Sequence, residues 1–266
     1  MSAAIKAEFR KFFTTRLWWG MAIAIFLSGV AFAVLFGFLL TSDQAGTGGP
    51  GGIPTGTDEQ IVGSVYTGGL GVGYLLTLTI GVMQIGSEYR HKTITSTFLA
   101  VPQRTKVMGA KIAALLGLGV VYGLISLVGS VSVGALVLSS QGVDPFPSSQ
   151  IWRTLALGLL VLGLWALIGL GAGILIPNQV AALLISVGVA WIVEPLAGFA
   201  LTFWEWGAQN VAPYLPTAAT NAMVNAVQGS PDEVRLEWWG GALVLTLYAA
   251  LLAGFGSWRT VRSDIT

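Results

Sequence analysis

Few side chains in this sequence could carry chemistry, and their placement limits what that chemistry is. There is one histidine, His91, and no cysteine. That excludes disulfides, a thiolate nucleophile, a Cys-ligated metal and a multi-histidine metal site. A Ser–His protease inside a bilayer is disfavoured too, because His91 stands in a polar loop rather than in an apolar run. Nucleotide hydrolysis through the usual phosphate loop needs G-x-x-x-x-G-K-[ST], whose backbone N–H groups and lysine hold the phosphates. The sequence contains no Gly-Lys dipeptide. The run Gly68-Gly69-Leu70-Gly71-Val72-Gly73 resembles a nucleotide glycine motif, but it lies in an apolar stretch with no preceding strand. Close helix packing is the better reading there, and for Gly117/Gly119/Gly123 and Gly169/Gly171/Gly173. One carboxylate, Glu194, is embedded in an apolar run. Such a group is functional by default, and we read it as an outer gate candidate or polar contact, against the plainer reading that it reaches water. No catalytic residue and no metal site is expected.

The densest polar segment starts at Gly86 and runs through Ser87, Glu88, Tyr89, Arg90, His91, Lys92 and Thr93 to Lys111. Ser87 is a suitable helix cap, and Pro102 discourages helix in the residue before it. The spacing therefore predicts a compact helix of about a dozen residues starting at Ser87, with Ile94, Phe98 and Leu99 forming its apolar side. Glu88, Arg90, His91 and Lys92 would then crowd its first turns, and cations there oppose the helix dipole. Those charges are expected to serve something else: phospholipid headgroup binding, or docking to a soluble cytoplasmic partner.

The elements that position these residues follow from composition. Of 266 residues, 54% are hydrophobic and only 9% charged, and the mean hydropathy is +0.77. A soluble domain carries about 25% charged residues, so a soluble enzyme, a disordered linker and a secreted scaffold are excluded. A spanning helix needs about 20 apolar residues. The chain reads as one transmembrane domain, 1–266, with spans at 17–40, 61–86, 108–139, 151–176, 180–200 and 237–258. The fifth is expected to kink or end near Pro195, with 201–236 forming a re-entrant or extracellular helical segment that includes Ala218–Gln228 and a turn at 230–233. Residues 87–107 form the loop between spans two and three. Residues 1–16 form an amphipathic helix, with Ile5, Phe9, Phe12 and Phe13 opposite Lys6, Arg10 and Lys11. It suits the membrane interface or a simple anchor for the first span. Residues 41–60 read as a glycine- and proline-rich surface loop, and no internal repeat is visible.

Charge placement orients the chain. With both ends cytoplasmic, Lys6, Arg10, Lys11, Arg16, Arg90, Lys92, Arg104, Lys106, Lys111, Arg259 and Arg262 are inside and only Arg153 and Arg235 outside, as the positive-inside rule requires. Trp18, Trp19 and Trp258 fall at inner boundaries, Trp152, Trp204, Trp206, Trp238 and Trp239 at outer ones, and Trp165 and Trp191 at mid-depth. The first apolar run is too long for a signal peptide core and has no clear cleavage site.

The block Glu88-Tyr89-Arg90-His91-Lys92-Thr93, followed by Leu99, Pro102, Arg104 and Lys111, resembles the inner loop of ABC-2 type transporter permeases, whose pattern reads E-x-R-x-x-T and then Leu, Pro, Arg and Lys. Tyr214-Leu215-Pro216-Thr217 is similar to that family's outer segment. Lys92 stands where the family more often has a small residue such as Gly. The resemblance implies an all-α polytopic fold like that of type V exporters, in a bacterial cell membrane. It implies two permease copies, as a homodimer, working with two separate ATPase subunits that bind the ATP and Mg2+; this chain binds no cofactor. The loop helix would be the coupling helix, with Glu88, Tyr89, Arg90, His91, Lys92, Thr93 and Phe98 toward the ATPase. Span two would line the path with Tyr66, Tyr74, Thr77, Thr79 and Gln84, a mostly apolar wall suited to an amphipathic drug, peptide or lipid-like substrate. Membrane lipid is a further expected partner, and nucleic acid is not. A stand-alone carrier or channel, a membrane enzyme and a non-transporting regulatory protein are the alternatives.

Overall fold

The structure, a computed structural model, describes residues 1–42, 56–100, 103–227 and 234–262. Pro102, most of the glycine-rich loop, the turn at 230–233 and Asp264 lie outside the described residues. The described chain is helical throughout. Six helical stretches are long and apolar enough to cross a bilayer: Leu17–Leu40, Asp58–Arg90, Arg104–Ser140, Gln150–Leu175, Gln179–Leu201 and Trp238–Trp258. Six were expected.

Helix α1 (Ser2–Phe13) precedes the first span, α2 (Leu17–Leu40). The second span is two helices, α3 (Asp58–Thr67) and α4 (Leu70–Arg90), joined at Gly68-Gly69. Thr57 and Gln60 form a capping box at the start of α3, so the helix begins inside the segment expected to be loop. The junction lies where the chain presses on α2: a Cβ at Gly69 would stand 2.8 Å from Gly29 Cα. A short helix α5 (Thr93–Ala100) follows, then α6 (Arg104–Ser140) and α7 (Gln150–Leu175). At ~1.5 Å per residue α6 is about 55 Å long, more than the ~30 Å of hydrocarbon a helix must cross.

Helix α7 is the centre of the bundle. Of its apolar stretch 72% is buried, against 17% for Gln179–Leu201. It packs on α4, α6 and α12 (Trp238–Arg262). Glycines make this possible by letting backbones touch. A Cβ at Gly169 would fall 2.0 Å from Leu78 O, one at Gly81 2.0 Å from Ala166 O, one at Gly119 2.3 Å from Gly163 Cα and one at Gly171 2.3 Å from the Leu252 carbonyl carbon.

The fifth span is continuous. Helix α8 (Gln179–Gly188) passes through one π-helical turn, Val189–Val193, into α9 (Glu194–Leu201). Pro195 has no N–H to continue an α-helical ladder. The wider turn before it, in which the Glu194 N–H reaches Val189 O, absorbs the mismatch without breaking the helix. Short helices α10 (Glu205–Asn210) and α11 (Pro216–Met223) then fold back, and α11 packs on α12 and α7. Helix α11 is shorter than the expected 218–228 segment.

Trp18, Trp19, Trp258, Trp152, Trp204, Trp206, Trp238 and Trp239 are all exposed, as amphipathic rings at two interfaces should be. Of the mid-depth pair, Trp165 is buried, stacked on Tyr74 with ring centroids 4.4 Å apart and donating to Thr220 Oγ1 at 3.0 Å. Trp191 is exposed on the fifth span. Helix α1, the α4–α5 corner and the end of α12 lie at one end of the bundle, here called basal. There the Tyr89 hydroxyl meets Thr260 Oγ1 at 3.1 Å.

Candidate functional site: the basal charge cluster and the α5 hairpin

The loop helix starts later than its sequence suggested. Ser87 caps nothing: residues 87–90 are the last turn of α4, and α5 begins at Thr93. Between Ile85 and Arg90 no proline intervenes and Gly86 alone weakens the helix, so α4 continues to Arg90 and the chain turns where Lys92 takes the left-handed conformation, φ 53°. The basic residues therefore sit at a helix C-terminus, where the dipole favours cations. The expected conflict between charge and helix dipole does not arise. The left-handed turn also explains why a small residue suits position 92, since only Gly adopts that conformation without steric cost.

Helix α5 is fastened to the bundle by its apolar side, Ile94 and Phe98, both buried, with the Arg104 guanidinium 5.3 Å from the Phe98 ring centre. Its other side, with Thr93, Thr95, Ser96 and Leu99, is exposed, as are Arg90, His91 and Lys92 at the corner. Leu99 is 78% exposed. Tyr89 is half-buried against Thr260. A space of about 300 Å³ separates α5 from α1 and α6, lined by Ala4, Ala7, Ser96, Thr97, Val107 and Ala110, with Glu8 and Lys11 at its edge.

Beneath the corner is a cluster the sequence reading did not assemble. Glu88 is turned inward and buried. Lys111 Nζ donates to Glu88 Oε1 at 2.7 Å and to Glu8 Oε2 at 2.9 Å, and Lys11 Nζ donates to Glu8 Oε1 and Glu88 Oε1, each at 2.8 Å. Gln84 Nε2 donates to Glu8 Oε2 at 3.2 Å. Two acids and two bases thus neutralise one another, Lys111 fully buried and Lys11 at the surface. Glu88 Oε2 and Gln84 Oε1 are buried without a hydrogen-bond partner among the described residues. The arrangement ties α1, α4 and α6 together directly below α5.

Burial would raise the Glu8 carboxyl, but the Lys111 charge and the hydrogen bonds from Lys11 and Lys111 outweigh it and hold Glu8 below its ordinary range. Burial would lower Lys11, yet its bonds to Glu8 and Glu88 leave it raised. Two signals pointed to this site. Glu8 interrupts the apolar stripe Ile5–Phe9–Phe12, and Lys111 lies within the long apolar run of α6; charges in such places are paired when buried. The apolar side of α1 is covered in part by protein: Phe9, half-buried, lies on Gly117, and Phe12 meets Tyr122 edge to face at 6.0 Å, while Phe13 is exposed.

Four of the five path candidates on the second span, Tyr66, Tyr74, Thr77 and Gln84, contact other groups of the chain. Tyr66 is buried and donates to Pro145 O at 2.9 Å, and Thr77 is buried and donates to Tyr74 O at 3.2 Å. Tyr74, Thr79 and Gln84 are half-buried, Tyr74 against Trp165 and Gln84 against Glu8. Glu194 is buried at the far end of the bundle, where its Oε1 accepts from the Thr217 backbone N–H and, at 2.7 Å, from the Thr217 hydroxyl. It thereby satisfies an N–H in the first turn of α11 that has no partner in the helix. No group of His, Asp and Glu among the described residues could hold a metal ion.

No curated protein matches the chain closely enough to count as a relative. The profile of the ABC-2 family transporter protein matches residues 4–193, from α1 through the π-helical turn, and so takes in the whole basal cluster, α5 and the path candidates. With that match over more than two thirds of its length, on a bundle of six apolar helices, the chain belongs to the ABC-2 transporter family, as a membrane protein rather than the ATPase.

Proposed function

We propose that the chain is the permease subunit of an ATP-driven exporter in a bacterial cell membrane, with both termini and α5 on the cytoplasmic side. Two copies form the path, and two separate ATPase subunits supply the energy. The observation that carries the reading is α5. It is a short helix outside the bundle, anchored by Ile94 and Phe98, and it presents Leu99 and the polar corner Arg90–Thr93 to solvent. An exposed leucine ringed by charged and hydroxyl side chains, away from the apolar spans, suits a protein surface better than a lipid headgroup layer. Helix membership favours the same side: the basal segments carry the basic excess that stays cytoplasmic.

Force entering at α5 reaches the spans through rigid connections. The left-handed turn at Lys92 joins α5 to α4, and the ion cluster joins α4 to α1 and α6. The space between α5, α1 and α6 leaves α5 room to shift on that side while Ile94 and Phe98 hold it to the bundle. ATP shifts such an assembly by binding one of its two states better. The half-buried Tyr74 and Thr79 and the exposed apolar face of the fifth span, Leu184, Trp191 and Leu196, suit an amphipathic or hydrophobic cargo entering from the lipid.

The test is reconstitution with the ATPase. Arg90→Ala combined with Leu99→Asp is expected to reduce ATPase retention on the purified permease at least tenfold while leaving membrane insertion intact. Full retention would reject α5 as the contact. Uphill transport by vesicles holding this chain alone would reject the permease reading in favour of a stand-alone carrier.

A further inference from the structure

A cavity lies at the end opposite α5, lined by residues beyond the segment the family profile covers. It encloses about 810 Å³ between α9, α10 and α11, within the range of pockets that hold drug-sized ligands. Its walls include Pro195, Phe203, Pro213 and Leu215, and its polar side chains are Glu194, Thr202, Glu205, Gln209, Thr217 and Asn221. None of the described residues lining it is basic. Glu194 is 7% exposed, and both of its hydrogen bonds, from the Thr217 N–H and hydroxyl, go to Oε1. Among the described residues Oε2 has no partner, and the residue that carries it lines the cavity.

A carboxylate held rigidly in an apolar cavity with one oxygen unused attracts a cation. The remaining walls decide which kind. A divalent metal needs six or more oxygen ligands close together, and the only buried carboxylate among the described residues lining this cavity is Glu194, its other acid, Glu205, and both amides being exposed. A large organic cation with spread charge gives up less hydration and covers the apolar wall, and the Phe203 ring can face it. Phe199, near the end of α9, and Phe203, just beyond it, are exposed and give such a ligand an apolar approach to the cavity.

We propose that this cavity is a binding site for amphipathic organic cations, with Glu194 Oε2 as the charge partner, Glu205 at the rim and Phe203 as an apolar wall. No α4 path candidate lines the cavity, although Tyr74 is within electrostatic reach of Glu194, and binding there does not depend on an ATPase. Its test can therefore fail while the permease reading stands, and the reverse.

The probe is tetraphenylphosphonium, with tetraphenylborate as an anion of the same shape. Binding is measured by equilibrium dialysis on the purified chain in zwitterionic nanodiscs, over empty nanodiscs, without ATPase or nucleotide. Saturable binding of the cation but not of the anion is expected, and Glu194→Gln, which keeps the Oε1 acceptor for Thr217, is expected to weaken it at least fivefold. No saturable cation binding, equal saturable binding of the anion, or a smaller effect of Glu194→Gln would overturn the proposal. Should Glu194→Gln fail to fold, Glu205→Gln and Phe203→Ala decide. A threefold loss in either supports the site, and unchanged binding in both overturns it.

Discussion

At the scale of single residues, the basal end is organised by Lys111. It is the fully buried cation between two buried acids, and removing one partner of such a group leaves uncompensated charge. Lys111→Met is expected to destabilise the chain by about 3–5 kcal/mol, read as thermal unfolding in nanodiscs. Adding Glu8→Gln and Glu88→Gln should recover most of that loss, because neutralising a whole buried cluster is far less costly than breaking it. The pH dependence follows from the two shifted groups. Glu8 is lowered, so its contribution is present above its unfolded value of 4.5 and is lost as pH falls through the lower folded value. Lys11 is raised, so its contribution is present below 10.5 and is lost as pH rises through the higher folded value. Protease protection of α1 should therefore be flat between those limits, and Glu8→Gln should remove the acid limb. At the corner, Lys92→Gly should stabilise the fold by about 1 kcal/mol by relieving the left-handed turn; a loss of stability would show that Lys92 makes a contact worth more than its strain.

At the scale of elements, the bundle depends on backbone contact along α7. Gly169→Leu would drive a side chain into the Leu78 carbonyl, and Gly81→Leu one into Ala166. Each is expected to cost about 3 kcal/mol or prevent folding, whereas Gly71→Leu, where a Cβ meets nothing within 4 Å, should be tolerated. Equal stability of all three in a thermal series would refute the close packing. Six helices of spanning length and apolarity, and the packing role of the glycine runs, were legible because apolar length and small-residue spacing are local signals. Four features were not read. The π-helical turn before Pro195 could not be told from a kink or a stop, because all three relieve the same missing N–H. The start of α5 was misplaced because the halt at Lys92 is a backbone conformation, and lysine does not announce a positive φ. The T-x-x-Q capping box at Thr57 and Gln60 was visible but hidden at the edge of a glycine-rich stretch. The cluster required contacts between residues 77 and 103 positions apart, and those come only from the fold. Its clues were two charges in apolar settings.

At the scale of the molecule, the chain divides its work between two ends. The basal end carries a neutralised ion cluster and an exposed helix on a rigid corner, suited to receiving force; the far end encloses an acidic, partly apolar cavity between the fifth span and the helices that fold back over it. Between them lie apolar helices whose described ionisable groups sit near their ends, which fits the proposal that a separate ATPase supplies the energy. The most direct test uses the absence of cysteine. Leu99→Cys makes residue 99 the single thiol, and a maleimide-linked photocrosslinker placed there in intact membranes samples whatever α5 touches. The account predicts a crosslink to a cytoplasmic protein that carries the G-x-x-x-x-G-K-[ST] phosphate loop, and blocking of the thiol by an impermeant maleimide only after the membrane is opened. A thiol that the impermeant reagent reaches from outside intact cells, or a crosslink to lipid alone, would contradict it.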